Sequence, residues 1–162
     1  LILSVDDVIE SLHSILSMVR KINPTVNFIF TVSPIRHIKD GFIENQQSKS
    51  HLITAIHEII KSHKNTFYFP SYELMMDELR DYRFYEEDMI HPNKTSVNYI
   101  WDKFSENWFS DRALGMMKEI SKIKRAQEHK PFNVASEKHK SFLIEIKHKI
   151  ESFNKKYPEI TF

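Results

Sequence analysis

The chain has 162 residues, 41% of them hydrophobic, and a formal net charge of +1 with histidines neutral; this suits a folded domain with a core and excludes the broad positive field that draws a protein onto nucleic acid or an anionic membrane. Cysteine is absent, so disulfides, zinc–thiolate sites and a cysteine nucleophile are excluded within the chain, and two glycines, Gly41 and Gly115, are too few for a glycine-rich phosphate loop. No apolar run approaches the about 18 to 20 residues that cross a bilayer, and Leu1 to Asp7 carries no basic stretch ahead of a hydrophobic one; with Leu1 rather than an initiator Met at its start, the sequence assigns no compartment.

Val5, Val8, Ile9, Leu12, Ile15, Leu16 and Val19 recur at steps of three and four, which predicts a helix started by Ser4 and Asp7 and ended at Asn23-Pro24. Phe28-Ile29-Phe30-Thr31-Val32 is an apolar run without alternation, as in a parallel strand covered on both faces. Ser33-Pro34 ends it. A polar loop through Gly41 and Asn45 leads to a second helix with Leu52, Ile53, Ile56, Ile59 and Ile60 inward. Thr66 to Phe69 reads as a second strand closed by Pro70, followed by a helical turn around Glu73 to Leu79 and an aromatic, charged loop from Asp81 to Glu87.

After Asp88 to Asn93, the residues Val97, Ile100, Trp101, Phe104 and Trp108 predict a helix with a ring-rich inner face. Two more helices are expected, about 113–128 and 136–155, joined by the Lys130-Pro131-Phe132-Asn133 turn. Phe132, with Leu143, Ile146 and Ile150, is expected to dock this hairpin on the domain or on a partner. The order implies an α/β fold with parallel strands and right-handed crossovers. Two strands do not complete such a sheet, so further sheet-forming chain is expected upstream.

The sharpest chemical constellation is Asp88-Met89-Ile90-His91-Pro92. A carboxylate three residues ahead of a histidine can turn back onto one imidazole nitrogen, fix the tautomer and leave the other nitrogen to take a proton from a nucleophile. On spacing alone, the plainer reading is a turn-capping Asp88 and a half-buried His91. Position adds weight to the chemical reading, because side chains that act in open α/β sheets sit on loops beyond the carboxyl ends of parallel strands. The loops Ser33 to Asp40 and Asp81 to His91 both lie there.

The segments Thr31-Val32-Ser33-Pro34-Ile35-Arg36-His37, Lys39-Asp40-Gly41, Asn45-Gln46-Gln47-Ser48-Lys49, Tyr68-Phe69-Pro70-Ser71-Tyr72-Glu73, Asp77 to Tyr85 and Asp88 to Pro92, taken in order, resemble the GSCFA family, a branch of the SGNH (GDSL-like) hydrolases. The resemblance spans about residues 1–109. It implies that these residues are the C-terminal part of a three-layer α/β/α flavodoxin-like sandwich, with 110–162 as a C-terminal helical extension. It further implies an ester hydrolase with a Ser-His-Asp triad in which His91 and Asp88 are the catalytic pair. The family's nucleophile belongs to a Gly-Ser-Cys-Phe-Ala motif near the start of the domain, and that motif does not occur here. The oxyanion-hole glycine and asparagine likewise belong to blocks ahead of the first helix, so this segment alone is expected to be inactive. Acylated carbohydrate is the substrate class implied first, with no metal or organic cofactor.

Arg36 and His37 sit just past the first strand, where they would either contact substrate oxygens or brace the His91 loop. Ser33 precedes proline and lacks the small neighbours that expose a nucleophile on a tight turn, which counts against it as a local nucleophile. His51, His57 and His63 recur every six residues; this scatters them around a helix, unlike an i,i+4 pair sharing one metal ion. Lys118, Lys122, Lys124, Arg125, Lys130, Lys138 and Lys140 are interspersed with Glu119, Glu128, Glu137 and Glu145, the pattern of exposed helix faces, so neither nucleic acid nor membrane is expected as a partner. The alternative from another class is a noncatalytic interaction module whose C-terminal helices bind a protein partner.

Overall fold

In the computed structural model, which describes residues 2–133 and 136–161, the chain divides into two compact units, 1–104 and 105–162. The fold is mixed α/β and mostly helical, with a parallel sheet of two strands among the described residues.

Helix α1 (Val5–Ile22) opens with a capping box: the Ser4 hydroxyl accepts the Asp7 backbone N–H, and the Asp7 carboxylate takes the Ser4 N–H. Strand β1 (Phe28–Phe30) follows, then a 3₁₀ turn (Ile38–Asp40), helix α2 (Phe42–Ser62) and strand β2 (Thr66–Tyr68). The strands pair in parallel with Phe28 opposite Thr66 and Phe30 opposite Tyr68. Val8 and Leu16 of α1 and Ala55, Ile56 and Ile59 of α2 are buried, and full burial of a side chain such as Leu16 or Ile59 stabilises by roughly 1.5–3 kcal/mol.

Both strands are shorter than their apolar runs predict. Beyond Phe30 the chain turns from strand pairing to the side chain of Ser71, whose Oγ donates to the Val32 carbonyl at 2.9 Å and lies 2.5 Å from Thr31 Oγ1. Pro70 lacks an N–H and cannot extend β2. Burial of both sheet faces holds in part. Arg20 of α1 lies over the Phe28 ring and His57 of α2 against Tyr68, and Phe104 meets Phe69 edge-on at 5.0 Å. Ile29 and Phe67 nevertheless stay 38% and 40% exposed.

Past β2 the chain forms a short helix, α3 (Ser71–Glu73), running into a π turn (Leu74–Glu78) that buries Met75. A 3₁₀ turn (Tyr82–Phe84) and the Asp88 loop then lead to α4 (Lys94–Trp108). The expected ring-rich inner face of α4 is less enclosed than its spacing suggests: Val97 and Trp101 are 53% and 47% exposed, whereas Ser96 is fully buried. Ser96 is the residue that binds the preceding loop, so that loop sets which face of the first turn is covered.

The second unit holds α5 (Asp111–Gln127) and α6 (Glu137–Lys156), capped by Ser110 and Ser136. Ile123, Phe153 and Tyr157 form its core, with Met116, Ile120, Ile150 and Ile160 against them. Ile146 is buried as expected, but Phe132 is fully exposed and Leu143 half exposed. Phe132 is thus no part of the hairpin core, which is built from Ile123 of α5 and from Phe153 and Tyr157 at the end of α6.

Candidate functional site

The Asp88–His91 turn is built by its own backbone before its side chains act. Tyr85 and Pro92 form an isolated antiparallel bridge, Glu86 N–H donates to the His91 carbonyl at 2.8 Å, and Met89 N–H donates to the Glu86 carbonyl at 2.9 Å. This closure places Met89 at φ +58°, the left-handed region that residues with a Cβ seldom occupy.

Inside the turn, one oxygen of Asp88 accepts the backbone N–H of Ile90 (2.8 Å) and of His91 (3.0 Å), and the other lies 2.6 Å from His91 Nδ1. The His91 backbone bond first, then its ring and the Ile90 N–H, hold the Asp88 carboxyl at about 2, below its ordinary 3.8. The carboxylate is therefore ionised across the neutral range, the state that keeps a proton on Nδ1 and leaves Nε2 as the acceptor. The His91 side chain is 56% exposed, and its Nε2 has no hydrogen-bond partner among the described residues.

Asn93 and Ser96 lock this turn onto α4, a role the sequence reading did not assign. Asn93 Oδ1 accepts the backbone N–H groups of Thr95 and Ser96, and its Nδ2 donates to the carbonyls of Arg83 (2.7 Å) and Tyr85 (3.3 Å). Ser96 Oγ donates to the Phe84 carbonyl. The signal was present: an asparagine directly before a helix is a preferred N-cap.

Of the remaining candidates, Arg36 reaches the turn and Ser33 does not. Arg36 Nη2 donates to the Met89 carbonyl at 2.9 Å, and the guanidinium lies 5.4 Å from the centre of the Tyr85 ring. The His37 backbone N–H donates to Asn45 Oδ1 at 2.9 Å, while its exposed ring stands 3.8 Å from Asp40. Asn45 does this from inside α2, which starts at Phe42, earlier than the polar loop expected through Asn45. Gly41, at φ +86°, supplies the backbone turn that allows the early start. Ser33 has its carbonyl bound by Lys49 Nζ (2.6 Å) and its hydroxyl accepting the Ile35 N–H (3.3 Å). Among the described residues no hydrogen bond joins Ser33 to His91. Lys49 itself is buried on α2, a placement its sequence context does not signal.

The three spaced histidines separate as helical geometry requires. His51 Nδ1 lies 2.7 Å from the Leu3 carbonyl, His57 packs on Tyr68, and His63 Nε2 is 2.8 Å from His13 Nδ1.

Two family models match this chain: one described as the GSCFA family, over residues 1–104, and one described as the GSCFA domain protein, C-terminal domain, over residues 120–162. No curated protein and no solved structure matches it.

Proposed function

The chain belongs to the GSCFA family, and from that membership and the Asp88–His91 geometry we propose that it is part of a serine-type ester hydrolase of the SGNH kind. The single observation that carries the reading is the 2.6 Å contact between Asp88 and His91 Nδ1, on an imidazole whose other nitrogen is open. In this reading His91 Nε2 takes the proton of a serine hydroxyl as that oxygen attacks the ester carbonyl, then returns it to the departing alcohol; water repeats the cycle on the acyl-serine. Asp88 holds the ring in the required tautomer and stabilises the imidazolium. Serine and oxyanion donors come from a segment preceding these residues, whose strands and helices complete a flavodoxin-like sandwich; a parallel sheet of two strands among the described residues, with Ile29 and Phe67 half covered, supports this. Arg36 braces the turn, and His37 lies at its rim beside a substrate whose first expected class is an acylated carbohydrate.

The test is turnover by the full-length protein with His91 changed to Ala. Loss of turnover with an unchanged fold supports the role, and retained turnover refutes it. A second reading, a noncatalytic module binding a protein partner through the C-terminal helices, is favoured by the exposed Phe132, Leu143 and Ile144. A serine-directed fluorophosphonate separates the two: labelling that is lost on mutating the upstream serine supports the hydrolase, and no labelling with that serine exposed supports the module.

A further inference from the structure

A concave cleft of about 320 Å³ lies beside the Asp88 turn. Its apolar lining is Ile38 and Phe42, from the 3₁₀ turn and the start of α2, with Met89 and Ile90, from the backbone between Asp88 and His91; Arg36, His37, Asn45 and Asp88 are its polar side chains. A mainly apolar concavity of this size with a few placed polar groups is the make-up of a small-molecule site, for which about 300–1,000 Å³ is typical.

Two observations mark it as more than a surface dent. Ile38, Phe42 and Met89 are 66%, 86% and 58% exposed, so three large apolar side chains stand in water around one hollow. Met89 does so from a left-handed backbone at φ +58°, a conformation that persists where the surroundings impose it and that concentrates at binding sites. The turn that fixes His91 thus also projects a flexible apolar side chain into the cleft.

We infer that this cleft receives the acyl chain of the ester, a saturated chain of several carbons, with the carbonyl end toward the Asp88–His91 turn. The inference rests on the hydrolase reading and adds the part of the substrate that is selected. A chain of a few methylenes fits a hollow of about 320 Å³ lined by Ile38, Phe42, Met89 and Ile90.

The test uses the full-length protein and p-nitrophenyl acetate, butyrate and hexanoate. Wild-type kcat/KM is expected to rise by about fourfold for each methylene buried. Phe42→Ser and Met89→Gly, the latter suited to the left-handed backbone and so safe for folding, are expected to lower the hexanoate-to-acetate ratio by about tenfold or more. A flat wild-type series, or a ratio unchanged in both variants, overturns the inference. So does a change in oligomeric state in Phe42→Ser with the ratio intact, which assigns the face to a second copy.

Binding is read separately by methionine methyl NMR. Hexanamide, and not acetamide, is expected to shift the Met89 methyl. If no ester is turned over but that shift occurs, the hydrolase reading falls and takes the ester assignment with it, leaving a cleft that binds an alkyl chain. If turnover depends on His91 while the series is flat and the shift absent, the cleft falls and the hydrolase reading stands.

Discussion

Asp88 holds His91 twice: one carboxylate oxygen accepts the histidine's backbone N–H at 3.0 Å while the other stands 2.6 Å from its ring nitrogen Nδ1. The backbone bond fixes where the ring starts and the second fixes how it points. Asp88→Asn separates these functions. The amide oxygen keeps the backbone N–H bonds, so the turn should persist, but an amide NH₂ facing Nδ1 forces the proton onto Nε2. Turnover of the full-length protein should drop by about 10³–10⁴-fold, with the tautomer change visible in ¹⁵N NMR of His91. Turnover within tenfold of wild type removes Asp88 from the mechanism.

The same bonds set an acid limit for the loop. The folded-state pKa of Asp88, about 2, lies below the ordinary 3.8, so its stabilisation is complete above 3.8 and is lost as pH falls through about 2. Amide protection factors at Ile90 and His91, referred to intrinsic exchange at each pH, should fall across that window. Protection that persists below it shows that the backbone bridge, and not the carboxylate, holds the turn.

Asn93 joins the turn to α4 through both ends of its amide. Asn93→Ala removes the cap, at about 0.5–2 kcal/mol, and also the donors to the Arg83 and Tyr85 carbonyls. Asn93→Asp restores the acceptor and not the donors, so its stability should fall between wild type and Asn93→Ala in urea denaturation. An alanine variant within about 0.5 kcal/mol of wild type shows that neither the cap nor these donors hold the turn.

The helices and the Asp88–His91 pair were legible because each is written locally: the capping box at Ser4, the three- and four-residue apolar spacing of α1 and α2, and a carboxylate three residues from its imidazole. What escaped depends on partners distant in sequence. Ser71 ends β1 by taking the Val32 carbonyl across 39 residues, and Lys49 is buried because the Ser33 carbonyl, 16 residues earlier, accepts from it. Nor does apolar spacing tell which side of a helix a loop will cover, which is why Val97 and Trp101 came out half exposed and Ser96 enclosed. Phe132 carries no periodic signal that distinguishes an anchor from an exposed ring.

Lys49 gives a stability prediction of opposite sense to most core changes. Burial lowers its pKa from 10.5, so the folded chain releases that proton before the unfolded chain does. Its contribution to stability is therefore complete above 10.5 and is lost as pH falls through the lowered value. Lys49→Met fills the same volume without a charge, and the Ser33 carbonyl, on an exposed residue, can bond water instead. The variant should be at least as stable as wild type near neutrality and should lack the rise toward high pH. A loss of more than about 1 kcal/mol at neutral pH, a typical net hydrogen-bond contribution, means the bond to Ser33 outweighs the cost of burying the ammonium.

Where α1 and α2 pack, His63 sets a second pH dependence. Burial first, then the Arg20 guanidinium and His13, hold its pKa below the ordinary 6.5. Its Nε2 lies 2.8 Å from His13 Nδ1, a spacing that needs a donor on one ring and a lone pair on the other; with both rings protonated, two donors would face each other. The folded pKa is depressed, so this stabilisation is present above 6.5 and lost as pH falls through the lowered value. Denaturation midpoints should accordingly drop on acidification below 6.5, and His63→Gln, which keeps a polar group but does not titrate, should flatten that limb. If wild type and His63→Gln lose stability in parallel over the same range, the α1–α2 contact is not what acid weakens.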